Sequence, residues 1–184
     1  MRVLTISGSL RQASHNTALL RAATDLAPAG MELELYDELE LVPPYNEDHD
    51  GDRSPAPVTR LRRQIAEADA VLFATPEYNG SVPGVLKNAI DWASRPFGRG
   101  ALWGKPVAVI GASTGEYGAL WAQADLRKAL GIAGARVLDA ELPVGKAAER
   151  FTADGELTDS EIRERLAEVL EALSEHHRDY ALAA

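Results

Sequence analysis

The clearest potential for chemistry lies in the segment GSLRQASHNT, residues 8–17, which comes directly before a helical pattern. Free backbone N–H groups and the dipole at a helix N-terminus favour an anion at such a place. Hydroxyl and amide donors and one guanidinium add hydrogen bonds and charge. The candidate ligands are Ser9, Arg11, Ser14, Asn16 and Thr17. We therefore predict a phosphate site here; the alternative is a helix cap with incidental serines.

Sequence motifs favour a single phosphate. The segment lacks the G-x-G-x-x-G pattern of dinucleotide sites, and the two Gly-Lys pairs of the chain are followed by Pro106 and Ala147 rather than by Ser or Thr. These absences disfavour a nucleoside triphosphatase and a two-phosphate Rossmann site. A low-molecular-weight tyrosine phosphatase would place an anion loop similarly, but it needs a cysteine nucleophile, and the chain has no cysteine.

A second unusual segment is TPEYNGSVPG, residues 75–84, which follows the apolar run 70–74 and precedes another helical pattern. Its Asn79-Gly80 pair predicts a tight turn. Pro83 falls where the first turn of a helix tolerates proline. The segment is long for a simple turn between a strand and a helix, so we consider it a candidate wall of a binding site.

A third segment, GASTGEYGAL at residues 111–120, contains three glycines that permit close backbone approach and positive φ. Ser113, Thr114 and Tyr117 offer hydrogen bonds to a ligand. By itself this evidence is weak, since glycine after a strand often marks only a tight turn.

These segments need elements that bring them together. Short apolar runs predict strands at 3–6, 31–36, 69–74, 107–111 and 136–142. Helical periodicity predicts helices from about Asn16 to Leu26, at 60–68, 85–93 and 120–130, and after the capping-box spacing of Thr158 and Glu161. The alternation indicates an α/β protein: a flavodoxin-like, doubly wound, five-stranded parallel sheet, order 2-1-3-4-5, with helices on both faces. Ligands of such sheets bind beyond the carboxyl ends of the strands, where the three segments belong.

Residues 43–57, PPYNEDHDGDRSPAP, show no periodicity and are rich in proline, acids and amides. We interpret them as a long surface loop that covers one end of the sheet. The alternative is a disordered linker.

Composition limits the classes of function. The 184 residues, 46% hydrophobic and 26% charged, are typical of one globular domain, predicted here as 1–184. A net charge of −9 disfavours nucleic acid and anionic lipid as partners. Without cysteine there is no thiolate chemistry, and the four histidines lack ligand spacing, so we expect no metal site; His15 is interpreted as a bystander. No apolar run suggests a signal peptide or a membrane span, and we expect a cytoplasmic protein.

In order and spacing, the segments GSLRQASHN, LVPPYNEDHD, TPEYNGSVPGVLKNAIDW and GASTGEYG resemble the NADPH-dependent FMN reductase family, which includes quinone, chromate and azo-dye reductases. The likeness spans roughly residues 2–145 and is most specific in PEYNGSVPGVLKNAIDW. It implies bound FMN and hydride transfer from NADPH or NADH to flavin N5. A quinone, chromate, an azo dye or free flavin then accepts the electrons in a ping-pong scheme, in which side chains need supply no acid–base pair.

The resemblance assigns residues by position. The phosphate residues are Ser9, Arg11, Ser14, Asn16 and Thr17; the ring residues are Pro76, Glu77, Tyr78 and Asn79; the third loop contributes Ser113, Gly115 and Gly118. Backbone N–H groups of 76–80 are expected to stabilise negative charge on the reduced ring. Glu77 either accepts from ring N3–H or holds the loop, and the alternative to both is a solvated acid. Tyr78 flanks the ring, gates access or serves an interface.

The family also implies a homodimer or homotetramer. Trp92, Phe97, Trp103 and Trp121, which fall in or after the units flanking the site, suggest either an interface or core packing. One departure concerns nicotinamide specificity and subunit contacts: relatives commonly continue the third loop with two glycines and an arginine, whereas this chain has Ala119, Leu120 and Trp121 after Gly118.

Two other hypotheses stay open on the sequence. One is a flavodoxin-type electron carrier that exchanges single electrons with proteins and has no nicotinamide pocket. The other is a noncatalytic domain that kept the fold and lost the cofactor.

Overall fold

The computed structural model describes residues 1–183 and the side chains of residues 1–178. Its sheet contains β1 (Arg2–Ser7), β2 (Glu32–Tyr36), β3 (Ala70–Thr75), β4 (Pro106–Ala112), β5 (Arg136–Val137) and β6 (Leu142–Val144). The order is β2-β1-β3-β4-β5, β6 also pairs with β4, and every one of these pairs is parallel. The flavodoxin-like order predicted from the sequence is confirmed.

The predicted fifth strand is broken, so the prediction of one strand at 136–142 is wrong. β5 ends at Val137, and pairing with β4 resumes only at Leu142. Between the two strands, the carboxylates of Asp139 and Glu141 accept hydrogen bonds from the guanidinium of Arg127. Polar partners on a helix thus draw this stretch out of the ladder, which an apolar pattern does not reveal.

The helices are α1 (His15–Asp25), α2 (Ala56–Glu67), α3 (Gly84–Ala93), α4 (Leu120–Ile132) and α5 (Ser160–Ala183). α2 begins before the predicted start at Arg60 because Pro57 lies in its first turn, where proline is tolerated. The predicted cap of α5 is corrected by one residue. Asp159, not Thr158, accepts the Ile162 N–H at 3.0 Å, while the Thr158 hydroxyl donates to the Arg150 carbonyl.

Helices cover both faces of the sheet, as predicted. On one face, Leu19 and Leu20 of α1 and Leu166 and Leu170 of α5 form a buried core with alternate strand residues. The opposite core contains the buried side chains of α2, α3 and α4, including Leu61, Ile65, Leu86, Ile90, Leu126 and Leu130. Strands buried on both sides explain why their sequences are near-continuous apolar runs.

Residues 43–55 form a surface loop, as predicted, and this loop packs along α2 and α3, which disfavours the alternative of a disordered linker. The carbonyl of Pro43 accepts from the Trp92 indole at 2.8 Å, and the Tyr45 N–H donates to Asn88 at 2.7 Å. Arg62 bonds Asp50 at 2.8 Å. Polar groups of the two helices therefore hold the loop in place.

The four large aromatic residues do not form one cluster. Trp92 is fully buried against Tyr45, with ring centroids 4.8 Å apart. Phe97 and Trp103 precede β4 at the amino edge of the sheet, whereas Trp121 lies at the carboxyl edge. Among the described residues, no helix has an apolar stretch long enough to cross a membrane.

Candidate functional site

A cleft opens at the carboxyl edge of the sheet, where β1, β3 and β4 lie side by side. Strand order reverses between β1 and β3, the switch point at which doubly wound sheets bind ligands. The cleft is lined by Ser9, Arg11, Ser14, His15, Asn16, Pro76, Glu77, Tyr78, Ala112, Ser113 and Thr114. The structure thus brings residues of all three predicted segments to one place.

The first loop is held by two hydroxyl groups and one backbone N–H group. Thr17 Oγ1 donates to Ser7 Oγ at 2.9 Å, and the Ser9 N–H reaches the same oxygen at 3.3 Å. Thr17 lines a neighbouring hollow rather than the cleft, so its observed contact supports the loop. Ser7 escaped the sequence analysis because it is the last residue of a strand.

The N-terminus of α1 is arranged for an anion. Buried Ser14 accepts the Thr17 N–H at 3.2 Å and caps the helix. The first turn has no acidic side chain, and its leading N–H groups have no helix carbonyl to bond. Arg11 is exposed at the rim, with one long hydrogen bond of 3.4 Å to the Ala13 carbonyl. This part of the cleft therefore combines the positive charge of Arg11 and of the helix dipole with free backbone N–H donors.

His15 lines the cleft beside these donors, so the sequence-based description of it as a bystander was incomplete. Its ring lies 5.5 Å from that of Phe151, centroid to centroid. Burial, and then the charge of Arg11, lower the pKa of the imidazole. The neutral ring is therefore favoured at pH 7, where it can donate or accept one hydrogen bond.

Asn16 connects the first loop to the third. Its side-chain amide donates to the Ala112 carbonyl and accepts the Ala112 N–H, both at 2.9 Å. The residue is 3% exposed. The side chain predicted as a phosphate donor is thus committed to the backbone of β4, and what it offers directly to a ligand at the α1 N-terminus is its own backbone N–H.

The second loop contains a two-residue hairpin turn. Tyr78 and Ser81 exchange N–H to carbonyl bonds at 3.1 and 3.2 Å, and the residues between them have positive φ, 54° at Asn79 and 74° at Gly80. This is the backbone that Asn-Gly favours. Asn79 is exposed and does not line the cleft. The Tyr78 N–H is bonded within the turn, and Pro76 has no N–H. Fewer N–H groups are therefore free to face the cleft than we predicted.

Glu77 ties the second loop to α4. Its carboxylate accepts the Ala122 N–H at 3.0 Å, at the start of a helix whose preceding residue, Ala119, provides no side-chain cap. Ser81 Oγ donates to Asp125 one turn further along, at 2.7 Å. Of the roles considered for Glu77, holding the loop is the one seen. The partner lies 45 residues away, and no local signal marks it.

Of the third segment, Ala112, Ser113 and Thr114 line the cleft. Gly118 has φ 59° and lies so close to β6 that a Cβ would be 2.5 Å from the Val144 nitrogen. The Gly115 carbonyl accepts from the Lys146 N–H at 2.9 Å. Gly118 thus packs against β6 and Gly115 bonds its own chain, and neither residue lines the cleft; their approach to a ligand stays a prediction.

The donor set of the cleft fits FMN. The helix N-terminus with Arg11 suits a phosphomonoester, and the wall of Pro76, Tyr78 and Ser113 suits a planar heterocycle with polar edges. Within the described part of the chain, no three His, Asp or Glu side chains are grouped to hold a metal ion. Fold and site together define a flavodoxin-like protein with a mononucleotide cleft.

Comparison with known proteins agrees. A model of the NADPH-dependent FMN reductase family matches residues 1–149, and the chain belongs to that family. It is 48% identical over 174 residues to an NAD(P)H-dependent FMN reductase of Pseudomonas aeruginosa, covering 94% of this chain and 93% of that protein. It is 42% identical over 158 residues to a quinone reductase of Pseudomonas putida, covering 85% and 84%.

A solved structure with the same fold is FerB, the flavoenzyme NAD(P)H:(acceptor) oxidoreductase of Paracoccus denitrificans. It superposes with a TM-score of 0.87 at 40% identity, covering 97% of each chain. The family resemblance found in the sequence motifs is therefore confirmed.

Proposed function

We propose that this chain is an FMN-dependent NAD(P)H oxidoreductase that passes two electrons from a reduced nicotinamide to quinone-type acceptors. The observation that carries the proposal is the meeting of three features in one cleft of a member of this family: a helix N-terminus with no acidic side chain in its first turn, Arg11, and the wall at 76–78. The names of two similar proteins, an NAD(P)H-dependent FMN reductase and a quinone reductase, supply the donor and acceptor classes.

The residues divide into holding and positioning roles. Ser9, Arg11, Ser14 and the leading N–H groups of α1 would bind the phosphate. Pro76, Tyr78, Ser113 and Thr114 would border the flavin ring. Asn16, Thr17, Glu77 and the Asn79-Gly80 turn would fix the three loops relative to each other. When bound, FMN supplies the hydride chemistry, which is why the cleft needs no acid–base pair.

The free Glu77 N–H at the cleft wall would donate to the ring edge on which negative charge increases during reduction. The carboxylate of the same residue is turned away to α4, so it does not oppose that charge at close range. The protein thus favours the reduced ring through a backbone group.

The proposal is tested by anaerobic stopped-flow spectroscopy of the FMN-loaded protein. NADPH or NADH should bleach the flavin absorbance on a turnover timescale, and a quinone added in a second mixing should restore it. Chromate, an azo dye and free FMN complete the acceptor panel. Bound FMN that neither nicotinamide reduces would contradict the proposal and indicate an electron carrier. A colourless protein with no thermal shift on FMN addition would indicate a domain that lost the cofactor.

We also propose that residues 1–184 act as one domain that assembles into a homodimer or homotetramer in the cytoplasm, where its nicotinamide donor is available. Exposed Trp103 and Ile132 at the amino edge of the sheet support self-association, since large apolar side chains at a surface favour contact with a second protein. Size-exclusion chromatography with light scattering measures the assembly, and cell fractionation measures the location. A monomer at micromolar concentration would contradict the proposed homodimer or homotetramer.

A further inference from the structure

Two large aromatic side chains stand exposed at the start of α4. Tyr117 and Trp121 are 61% and 51% exposed, and their ring centroids lie 5.0 Å apart with the planes inclined at 59°. They contribute little to the core, because most of their surface faces water. Rings held in mutual contact at a surface form a preformed site onto which a third ring can stack.

Two hydrogen bonds place the start of α4, the helix that begins beside this pair, against the second loop of the cleft. Glu77, which lines the cleft, accepts the N–H of Ala122, the residue after Trp121. Asp125, one turn after Trp121 and on the same side of the helix, accepts from Ser81. The Trp121 side of α4 therefore lies against the turn that carries Tyr78, whose side chain lines the cleft and is itself 51% exposed.

Carboxylates lie close to the pair on the side that faces the second loop. Glu116 precedes Tyr117, and Asp125 follows Trp121 by one turn. Glu77 accepts the N–H of Ala122, the residue after Trp121. Lys146 is engaged by Glu116 at 3.2 Å. The carboxylates of Glu77 and Asp125 would disfavour the diphosphate of a nicotinamide dinucleotide on this side of α4, whereas a neutral planar ring would not be repelled.

We propose that Trp121, with Tyr117 and Tyr78, forms a stacking platform for planar quinones and sets the specificity for the electron acceptor. The inference rests on the proposed function and deepens it by naming the acceptor site. In the half-reaction concerned, the quinone accepts a hydride equivalent from the reduced cofactor and one proton from solvent, and it leaves as the hydroquinone. Trp121 takes no part in that transfer and acts by binding the ring.

The test compares two acceptors for the same NADH-reduced, FMN-loaded enzyme under anaerobic stopped flow. A naphthoquinone has a ring to stack, and ferricyanide has none. Trp121→Ala should lower the second-order rate constant for the naphthoquinone about tenfold, in line with the strength of ring stacking, and leave that for ferricyanide unchanged. Trp121→Phe should retain most of the wild-type rate. Phe97→Ala, which removes a 70% exposed aromatic at the opposite edge, is the control and should change neither rate.

Several results would overturn the platform. Equal losses for both acceptors, or a loss no greater than that of Phe97→Ala, would remove Trp121 from acceptor binding. If Trp121→Ala slows only the reduction of the flavin by NADH, the aromatic pair would belong to the nicotinamide-binding site instead. Dissociation of the oligomer in Trp121→Ala, measured by light scattering, would assign it to a second copy of the chain. Failure of the wild-type enzyme to be reduced by either nicotinamide would instead contradict the proposed function, because no reductive phase would be seen with any variant.

Discussion

At the scale of single residues, Asn16 shows that the cleft depends on structural hydrogen bonds as well as on groups that can contact a ligand. Its amide pairs with both backbone groups of Ala112 and so fixes the N-terminus of α1 against the end of β4. Its residue type suggested a ligand for phosphate, but the type alone did not reveal that the side chain was already satisfied. Donor types are a local property of the sequence, whereas partners are not.

Asn16→Ala should therefore destabilise the protein even without cofactor. Removing the amide leaves a buried N–H and a buried carbonyl of Ala112 unpaired, at a cost of about 2 kcal/mol in the free energy of unfolding. Urea unfolding of the apoprotein measures this loss. Ser113→Ala is the control: it removes a hydroxyl from the cleft and should weaken FMN binding with little effect on apoprotein stability. Equal stability of Asn16→Ala and wild type would show that the pairing is dispensable.

At the scale of elements, the second loop is shaped by a turn whose sequence signature is local. Asn79-Gly80 predicted the turn, and the structure has it with positive φ at both positions. The orientation of the same loop is fixed by Glu77 and Ser81, which form hydrogen bonds with α4. No local pattern in the sequence indicates those bonds. The shape of the loop was thus predictable and its attachment was not.

Two glycines near this loop give a matched comparison. A Cβ at Gly80 or at Gly84 would meet no atom within 4 Å, but Gly80 has φ 74° and Gly84 begins α3. Gly80→Ala should cost about 1 kcal/mol of stability, since an L side chain strains the left-handed backbone. Gly84→Ala should be neutral or stabilise by about 0.5 kcal/mol through helix propensity. Chemical denaturation compares the two, and a similar loss for both would contradict the argument.

The cap of α5 has a pH dependence of known sign. The Ile162 N–H, followed by the Arg150 guanidinium, lowers the pKa of Asp159 below its ordinary value of 3.8. A depressed carboxyl pKa contributes stability that is present above the unfolded pKa and is lost as pH falls through the folded one. The difference in Tm between wild type and Asp159→Ala should therefore be largest at neutral pH and shrink in acid, below about pH 4.

Asp159→Asn separates the cap from the charge. Asparagine retains the acceptor for the Ile162 N–H but does not titrate, so this variant should melt above Asp159→Ala at every pH. Its Tm relative to Asp159→Ala should stay constant across the acid range. A parallel decline of wild type and Asp159→Asn relative to Asp159→Ala would show that another carboxyl causes the pH dependence.

At the scale of the whole molecule, FMN should act as a stabilising ligand. A ligand bound only by the native state, at about one hundred times its Kd, raises the free energy of unfolding by about 2.7 kcal/mol. Arg11→Ala should weaken FMN binding about tenfold by removing a charge-assisted contact to the phosphate. At the same FMN concentration the gain should then fall by about 1.4 kcal/mol.

The apoprotein of Arg11→Ala should be as stable as wild type, because this exposed side chain makes only one long hydrogen bond. Arg99→Ala removes an equal charge from an exposed site at the opposite edge of the sheet and serves as the control. Its FMN affinity should be unchanged. Unfolding measured with and without FMN reports both quantities, and identical FMN affinity in Arg11→Ala and wild type would exclude Arg11 from the phosphate site.

The sequence by itself determined the strands β1 to β4, the helices, the sheet order and the three polar loops. These follow from apolar periodicity and from turn residues, which act over a few neighbouring positions. Only the tertiary structure decided the break between β5 and β6, the hydrogen bonds of Asn16 with Ala112, and the hydrogen bond that attaches Glu77 to the start of α4. Each depends on a partner that is distant in the chain, up to 96 residues away for Asn16, and such pairs exist only once the sheet has brought its carboxyl ends together.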